Sequence, residues 1–204
     1  MVLRMTLAGD LAGAILAGGA ARRMGGDHKA LLTIGDSPIV ERQLAALRQV
    51  ADPIFIVAPD PAPFAHLGVP VVPDRLPGCG ALGGIYTAIL ESAHERVLVV
   101  ACDMPFLNPA FLKQMAGARD ADVVIPRSSR SLEPLCAIYT RACAEPIRTR
   151  LERGALEASV LPDGLKIQEI GPEILAAYDP DGLMFVNVNT PHDYERARTR
   201  VEPP

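Results

Sequence analysis

Short apolar runs alternate with helical stretches along most of the chain. Gly13 to Ala17 reads as a buried strand that leads into a glycine-rich loop. Pro38 to Val50 follows, with Ile39, Leu44 and Leu47 near helical spacing. Ile54 to Ala58 and Val69 to Val72 read as strands, and Gly84 to Ala93 as a helix. Arg96 to Ala101 is the clearest strand, because Val97, Leu98, Val99 and Val100 run without a polar break. Such continuity is expected where helices cover both faces of a parallel sheet. Asn108 and Pro109 mark a helix start by cap and first position. Asp122 to Pro126 and Leu135 to Tyr139 predict further strands, Ala142 to Arg153 a helix, and Lys166 to Ile170 and Met184 to Val188 late strands. Thr190-Pro191-His192-Asp193 has the form of a capping box that opens the last helix.

Strand–helix alternation of this kind predicts a three-layer α/β fold with a mostly parallel central sheet. Ligands in such sheets bind beyond the carboxyl ends of the strands. The loops after Leu16, Val72 and Ala101 are therefore where chemistry is expected. The sequence contains no internal repeat and no linker-like stretch. The expectation is one domain over residues 1–204, with a core of about 12–200 and an N-terminal tail over 1–11.

Composition narrows the picture. With 49% apolar residues the chain can bury enough surface to offset its conformational entropy, so disorder is not expected. Lys and Arg total 20 and Asp and Glu 24, for a net charge of −4. This argues against a broad basic surface for nucleic acid and leaves any anion to a local, specific site. No apolar run approaches the ~18 residues of a membrane span. Leu11 to Ala21 is uncharged and follows Arg4, which only faintly resembles a signal peptide. The four cysteines, at positions 79, 102, 136 and 143, lack metal-ligand spacing and fit reduced thiols of a cytoplasmic protein.

Three segments carry candidate chemistry. The first runs from Leu16-Ala17-Gly18-Gly19 through Arg22, Arg23 and Met24-Gly25-Gly26-Asp27-His28 to Lys29. Paired glycines after a strand let backbone N–H groups approach an anion, and the arginines and lysine add positive charge. Arg23 and Lys29 are the candidate phosphate ligands, and Arg22 is read as a solvated charge. The loop is neither a Walker A loop nor G-x-G-x-x-G. In the second segment, Ala101-Cys102-Asp103-Met104-Pro105, an aspartate ends a buried strand. It is a candidate Mg²⁺ ligand or a turn cap. Cys102 reads as a small buried residue, not a nucleophile, because no activating histidine lies nearby in sequence. In the third, Asp74 follows a strand and precedes the glycine-rich stretch Gly78 to Gly84. It could recognise a ligand hydroxyl or base N–H, or simply shape a turn. Asn187 and Asn189 are polar candidates past a late strand, and equally ordinary loop asparagines.

Together these segments resemble the sugar-phosphate-type nucleotidyltransferases and, more narrowly, the molybdenum cofactor guanylyltransferases. Leu16 to Gly19, Arg23-Met24-Gly25 and Lys29 are similar to the signature of the first loop. Gly80 to Ile85 is similar to the family's G-P-L-A-G-I, and Cys102 to Pro105 to C-D-x-P. Phe185-Val186-Asn187-Val188-Asn189-Thr190-Pro191 matches F-V-N-V-N-T-P, the most specific piece. The resemblance is colinear from about residue 12 to 200. Departures are Ala81 in place of a proline, His28 where an aspartate usually precedes the lysine, and Val57 where another nucleotide contact usually falls.

The resemblance implies a Rossmann-like nucleotidyltransferase fold, GTP as donor, Mg²⁺ as metal and molybdopterin as acceptor of GMP, with pyrophosphate released. Leu16, Ala17, Gly18 and Gly19 would hold guanine and ribose-phosphate, Lys29 would contact phosphate, Asp74 would recognise the nucleotide and Asp103 would bind Mg²⁺. Arg23, Lys29 and Asp103 form the expected catalytic set, with Asn187 and Asn189 as second-substrate or metal contacts. Transient contact with other molybdenum cofactor proteins and molybdoenzymes is implied, and neither nucleic acid nor membrane is. Rival readings are a cytidylyl- or sugar-1-phosphate nucleotidyltransferase, and a non-catalytic adaptor that binds nucleotide or molybdopterin.

Overall fold

A computed structural model describes residues 10–18, 28–129 and 131–201. Strand β1 (Leu11–Leu16) lies inside a seven-stranded sheet. On one side it pairs in parallel with β4 (Ile54–Val57), which carries the short edge strand β5 (Val71–Val72). On the other side it pairs in parallel with β6 (Arg96–Ala101). Beyond β6 come β8 (Cys136–Thr140), antiparallel to its neighbours, then β7 (Val123–Pro126) and the edge strand β9 (Ile167–Ile170). The mostly parallel α/β sheet expected from the alternation is therefore present. A small hairpin, β2 (Thr33–Ile34) with β3 (Ser37–Pro38), stands apart from it and turns at Gly35, whose φ is +62°.

The period-two strand pattern builds the layers. Leu11, Ile15, Ile54, Ile56, Leu98 and Val100 face one way. They meet α1 (Ile39–Leu47) through Val40, Leu44 and Leu47, and α3 (Pro109–Gly117) through Phe111, Leu112 and Met115. Ala12, Ala14, Phe55, Val57, Val97 and Val99 face the other way. They meet α2 (Gly80–Glu91) through Leu82, Ile85 and Ile89, and α4 (Ala144–Glu152) through Ile147. Burial on both faces explains why β1, β4 and, after Arg96, β6 are apolar.

Local signals account for several boundaries. The Asn108 side chain accepts hydrogen bonds from Ala110 and Phe111 N–H at the start of α3, with Pro109 at the first position. Helix α5 (Pro172–Ala176) also begins with proline. Thr190 and Asp193 form the reciprocal capping box of α6 (Pro191–Arg198). Tyr194 of that helix donates its hydroxyl to Thr33 O, and Ala197 and Val188 pack on Ile34 and Ile39.

Two expectations require correction. Met184 to Val188 is not a strand. Val186 N–H closes a turn on Leu183 O, and Val188 N–H leaves the segment to bond Asp103 O at 2.9 Å. The apolar alternation there serves packing, with Met184 and Phe185 in one core layer and Val188 against the hairpin. Helix α2 starts four residues before its expected start at Gly84. Glycines weaken a helix by sequence, but here they permit close packing. A Cβ at Gly84 would lie 3.0 Å from Leu16 Cδ1, and one at Gly83 would lie 3.1 Å from Leu76 O.

Leu98 is fully buried between the layers. Leu98→Ala should cost about 2–5 kcal/mol of stability, whereas Thr190→Ala, which removes one exposed cap, should cost about 1 kcal/mol. Urea denaturation of both variants checks the ranking.

Candidate functional site

Three strands end at one level. Leu16 pairs with Val57 on one side and Ala101 on the other. Beyond them lies a pocket of about 400 Å³. Leu16, Gly18, Asp74, Gly80, Cys102 and Asp103 are among its lining residues. The loops after β1, β5 and β6, singled out from sequence, thus converge. The sheet continues slightly past its strands here, because Ala17 N–H donates to Val57 O and Cys102 N–H donates to Leu16 O. Gly18 faces open space where a Cβ would otherwise stand.

Asp103 is half-buried, and its Oδ1 is fully buried with no hydrogen-bond partner. Burial pushes its carboxyl above the usual carboxylate range, while the nearby Lys29 charge and its own backbone N–H pull the other way. Lys29 is itself 8% exposed, and its Nζ donates to Asn189 Oδ1 at 2.7 Å. That bond joins the first loop to the segment after Phe185, whose Val188 N–H holds Asp103 O. Lys29, Asp103 and Asn189 are therefore one connected group. Arg22, Arg23 and Gly19 lie outside the described residues.

Asp74 is half committed to its turn. Its Oδ1 accepts from Leu76 N–H at 3.0 Å and from the Thr87 hydroxyl at 2.8 Å. The turn role expected of Asp74 is therefore present, and the residue also lines the pocket. Asn187 points to a different place. It lines a second hollow of about 560 Å³ with Ser128, Ser131, Glu133, Asp179 and Phe185. Leu135 lines the first hollow and Glu133, two residues earlier, the second.

Cys102 is buried, and burial beside Asp103 pushes its thiol up to about 12. It stays protonated at neutral pH, which agrees with a packing residue and not a nucleophile. Two residues escaped the sequence reading. Thr87 on α2 orients Asp74, and Gln43 on α1 reaches the turn that carries Asp103. The signal for Gln43 was a polar residue on the apolar face set by Val40, Leu44 and Leu47.

A glycine-lined pocket at the strand ends, with a half-buried carboxylate and a hydrogen-bonded lysine near it, fits an α/β enzyme of the nucleotidyltransferase class. Residues 13–164 match the MobA-like NTP transferase domain. The chain is 33% identical over 192 residues to the molybdenum cofactor guanylyltransferase of Desulfosudis oleivorans, which covers 93% of this chain and 95% of that one. The crystal structure of molybdopterin-guanine dinucleotide biosynthesis protein A from Archaeoglobus fulgidus superposes with a TM-score of 0.75 at 26% identity, covering 93% and 97% of the two chains. A 2-C-methyl-D-erythritol 4-phosphate cytidylyltransferase from Thermus thermophilus shares the fold at 16% identity and a TM-score of 0.65, over 92% and 96% of the chains. The chain belongs to the MobA-like NTP transferase family.

The raised Asp103 carboxyl has a stability consequence in metal-free protein. A carboxyl whose folded pKa exceeds its unfolded value favours folding below the unfolded pKa, and that advantage is lost as pH rises through the folded pKa. Asp103→Asn should therefore raise the Tm at pH 7, with the gain shrinking as pH falls into the carboxylate range. Thermal melts of both proteins with chelator between pH 4 and 8 measure the gap.

Proposed function

We propose that the protein transfers GMP from GTP to the terminal phosphate of molybdopterin and releases pyrophosphate. The observation that carries the chemistry is Asp103, a carboxylate with an unpartnered buried oxygen at the end of a central strand, in one pocket with Gly18 and beside Lys29. The Desulfosudis oleivorans relative's name and the Phe185 to Pro191 segment support guanine and molybdopterin.

Mg²⁺ fits this donor set. The free Asp103 oxygen offers one hard ligand, and no group of three His, Cys, Asp or Glu gathers among the described residues. Mg²⁺ commonly takes one or two carboxylates and completes its shell with water and substrate phosphates. When bound, it would neutralise triphosphate charge and favour departure of pyrophosphate.

The remaining work falls to this chain's residues. Lys29 would contact phosphate with one of its three N–H groups while another keeps Asn189. Arg23 would add a planar fork to the phosphates. Asp74 would recognise the nucleotide through the oxygen its turn leaves available, and Leu16, Ala17, Gly18 and Gly19 would receive guanine and ribose-phosphate through the backbone. Asn187, in the second hollow, would face the acceptor. The acceptor phosphate oxygen is already ionised at neutral pH and needs no strong base. It forms a bond to the α-phosphorus as the bond to the bridging oxygen of pyrophosphate breaks. Positioning and charge compensation supply the rate.

Four free cysteines among the described residues fit a cytoplasmic setting. No helix among the described residues is long and apolar enough to cross a membrane. Proteins that make molybdopterin or take up the guanine dinucleotide product are the expected partners.

A pyrophosphate-release assay with GTP, Mg²⁺ and molybdopterin tests the reading. Asp103→Ala and Lys29→Ala should each lower the transfer rate by ~10²–10³-fold, the magnitude for losing one electrostatic stabiliser; near-normal rates would remove that residue from the site. Thermal stabilisation fixes the base. GTP at ~100 times its Kd should add about 2.7 kcal/mol, and stronger stabilisation by CTP would overturn the guanine assignment. Asn187→Ala should raise the KM for molybdopterin while leaving GTP stabilisation unchanged; the opposite pattern would place Asn187 on the donor side.

A further inference from the structure

Gln43 lies on the apolar face of α1 and is 1% exposed. A buried amide is unfavourable unless hydrogen-bonded. Its Nε2 donates to Ala101 O at 2.6 Å and to Met104 O at 2.9 Å. Those two carbonyls bracket Cys102 and Asp103. One of the two carbonyls between them, Asp103 O, accepts Val188 N–H at 2.9 Å. The backbone around Asp103 is thus held from α1 on one side and from the 185–190 segment on the other. The Asp103 carboxylate is left with Oδ1 unpartnered.

The choice of an amide at this position carries a cost. Gln43 Oε1 is also buried without a partner, so the amide is only half satisfied. An aliphatic side chain would continue the stripe of Val40, Leu44 and Leu47 without that orphaned oxygen, but it would take the donor from the Met104 carbonyl, so the amide is kept for this turn. Local rules are broken in this way chiefly where a site requires a fixed geometry.

We propose that Gln43 is a positioning residue for the transfer reaction: by clamping the 101–104 turn through both of its amide hydrogens, it holds the Asp103 carboxylate where it meets the metal–nucleotide complex. This rests on the reading of Asp103 as the residue that holds the metal. Gln43 touches neither substrate nor metal, and its effect passes through the turn.

The test uses the full chain with Gln43→Leu, and Gln43→Met as a second apolar variant of similar length. Asp103→Asn serves as the reference. Three quantities are read: the Mg²⁺ concentration for half-maximal transfer, the Mg²⁺-dependent part of the thermal stabilisation by GTP, and hydrogen exchange at the Cys102, Asp103 and Met104 amides. The expected result is a ~10–100-fold rise in half-maximal Mg²⁺, the usual effect of losing a group that orients a metal ligand. The KM for GTP at saturating Mg²⁺ should change little, the Mg²⁺-dependent stabilisation should shrink, and exchange should quicken at those amides alone. Wild-type Mg²⁺ dependence in a folded Gln43 variant, beside an impaired Asp103→Asn, would overturn the role of Gln43 only. Wild-type Mg²⁺ dependence in Asp103→Asn would overturn the metal reading itself. Loss of fold in both Gln43 variants would make the residue a structural one and end the proposal.

Discussion

Parallel pairing of β1 with both β4 and β6 brings Leu16, Val57 and Ala101 to one level. The chain runs from β1 to β4 on one side and later returns through α2 to β6 on the other, so the loops part at this edge and leave a crevice. That geometry follows from short apolar strands buried on both faces and from right-handed crossovers. The rest of the site depends on it. Gly18 after β1, the Asp74 turn and the Asp103 turn meet only because their strands stop together. Gly84 lets α2 approach the last residue of β1, where a Cβ would lie 3.0 Å from Leu16 Cδ1.

Charge is managed locally within an acidic chain. A net charge of −4 offers no general attraction for a triphosphate or a phosphorylated acceptor. Lys29 places a cation near Asp103 while almost wholly buried, which is tolerable because Asn189 accepts from it. The bond spans 160 positions of sequence and ties the start of the site to its end. Asp103 carries the opposite burden: burial works against its ionised form and Lys29 works for it. Its Oδ1 has no internal donor to offset that burial.

Much of this was legible because the informative features are local. The limits of β6, Arg96 and Ala101, follow from an uninterrupted apolar run, and the Asn108 and Thr190 caps from side chains that answer their own helix N–H groups. Long-range choices were not legible. The residues before Gly84 look like a loop until the helix is seen to begin at Gly80, with Leu76 O close against Gly83. The Met184 to Val188 alternation looks like a strand until Val188 is seen bonded to the Asp103 backbone, away from the ladder. In sequence Asn187 and Asn189 are near twins, yet one lines the second hollow and the other answers Lys29. Nothing within that short segment sets them apart, because the difference lies in which distant loop each meets.

Strand β6 also shows how the fold separates stability from chemistry. Among the described residues, three buried side-chain atoms lack partners: Gln43 Oε1, Asp103 Oδ1 and Arg96 Nε. Arg96 stands at the amino end of β6, where its other nitrogens answer the Ala116 and Ala118 carbonyls at the end of α3. That end satisfies a helix terminus, a structural task. The other two atoms lie about the turn at the carboxyl end, where no helix terminus requires them. Between the two ends the strand is wholly apolar and buried. The same strand is therefore anchored at one end by bonds that complete the fold and followed at the other by a turn with an unpartnered carboxylate oxygen. This arrangement is expected when catalysis relies on held geometry and compensated charge instead of a nucleophile or a base of its own.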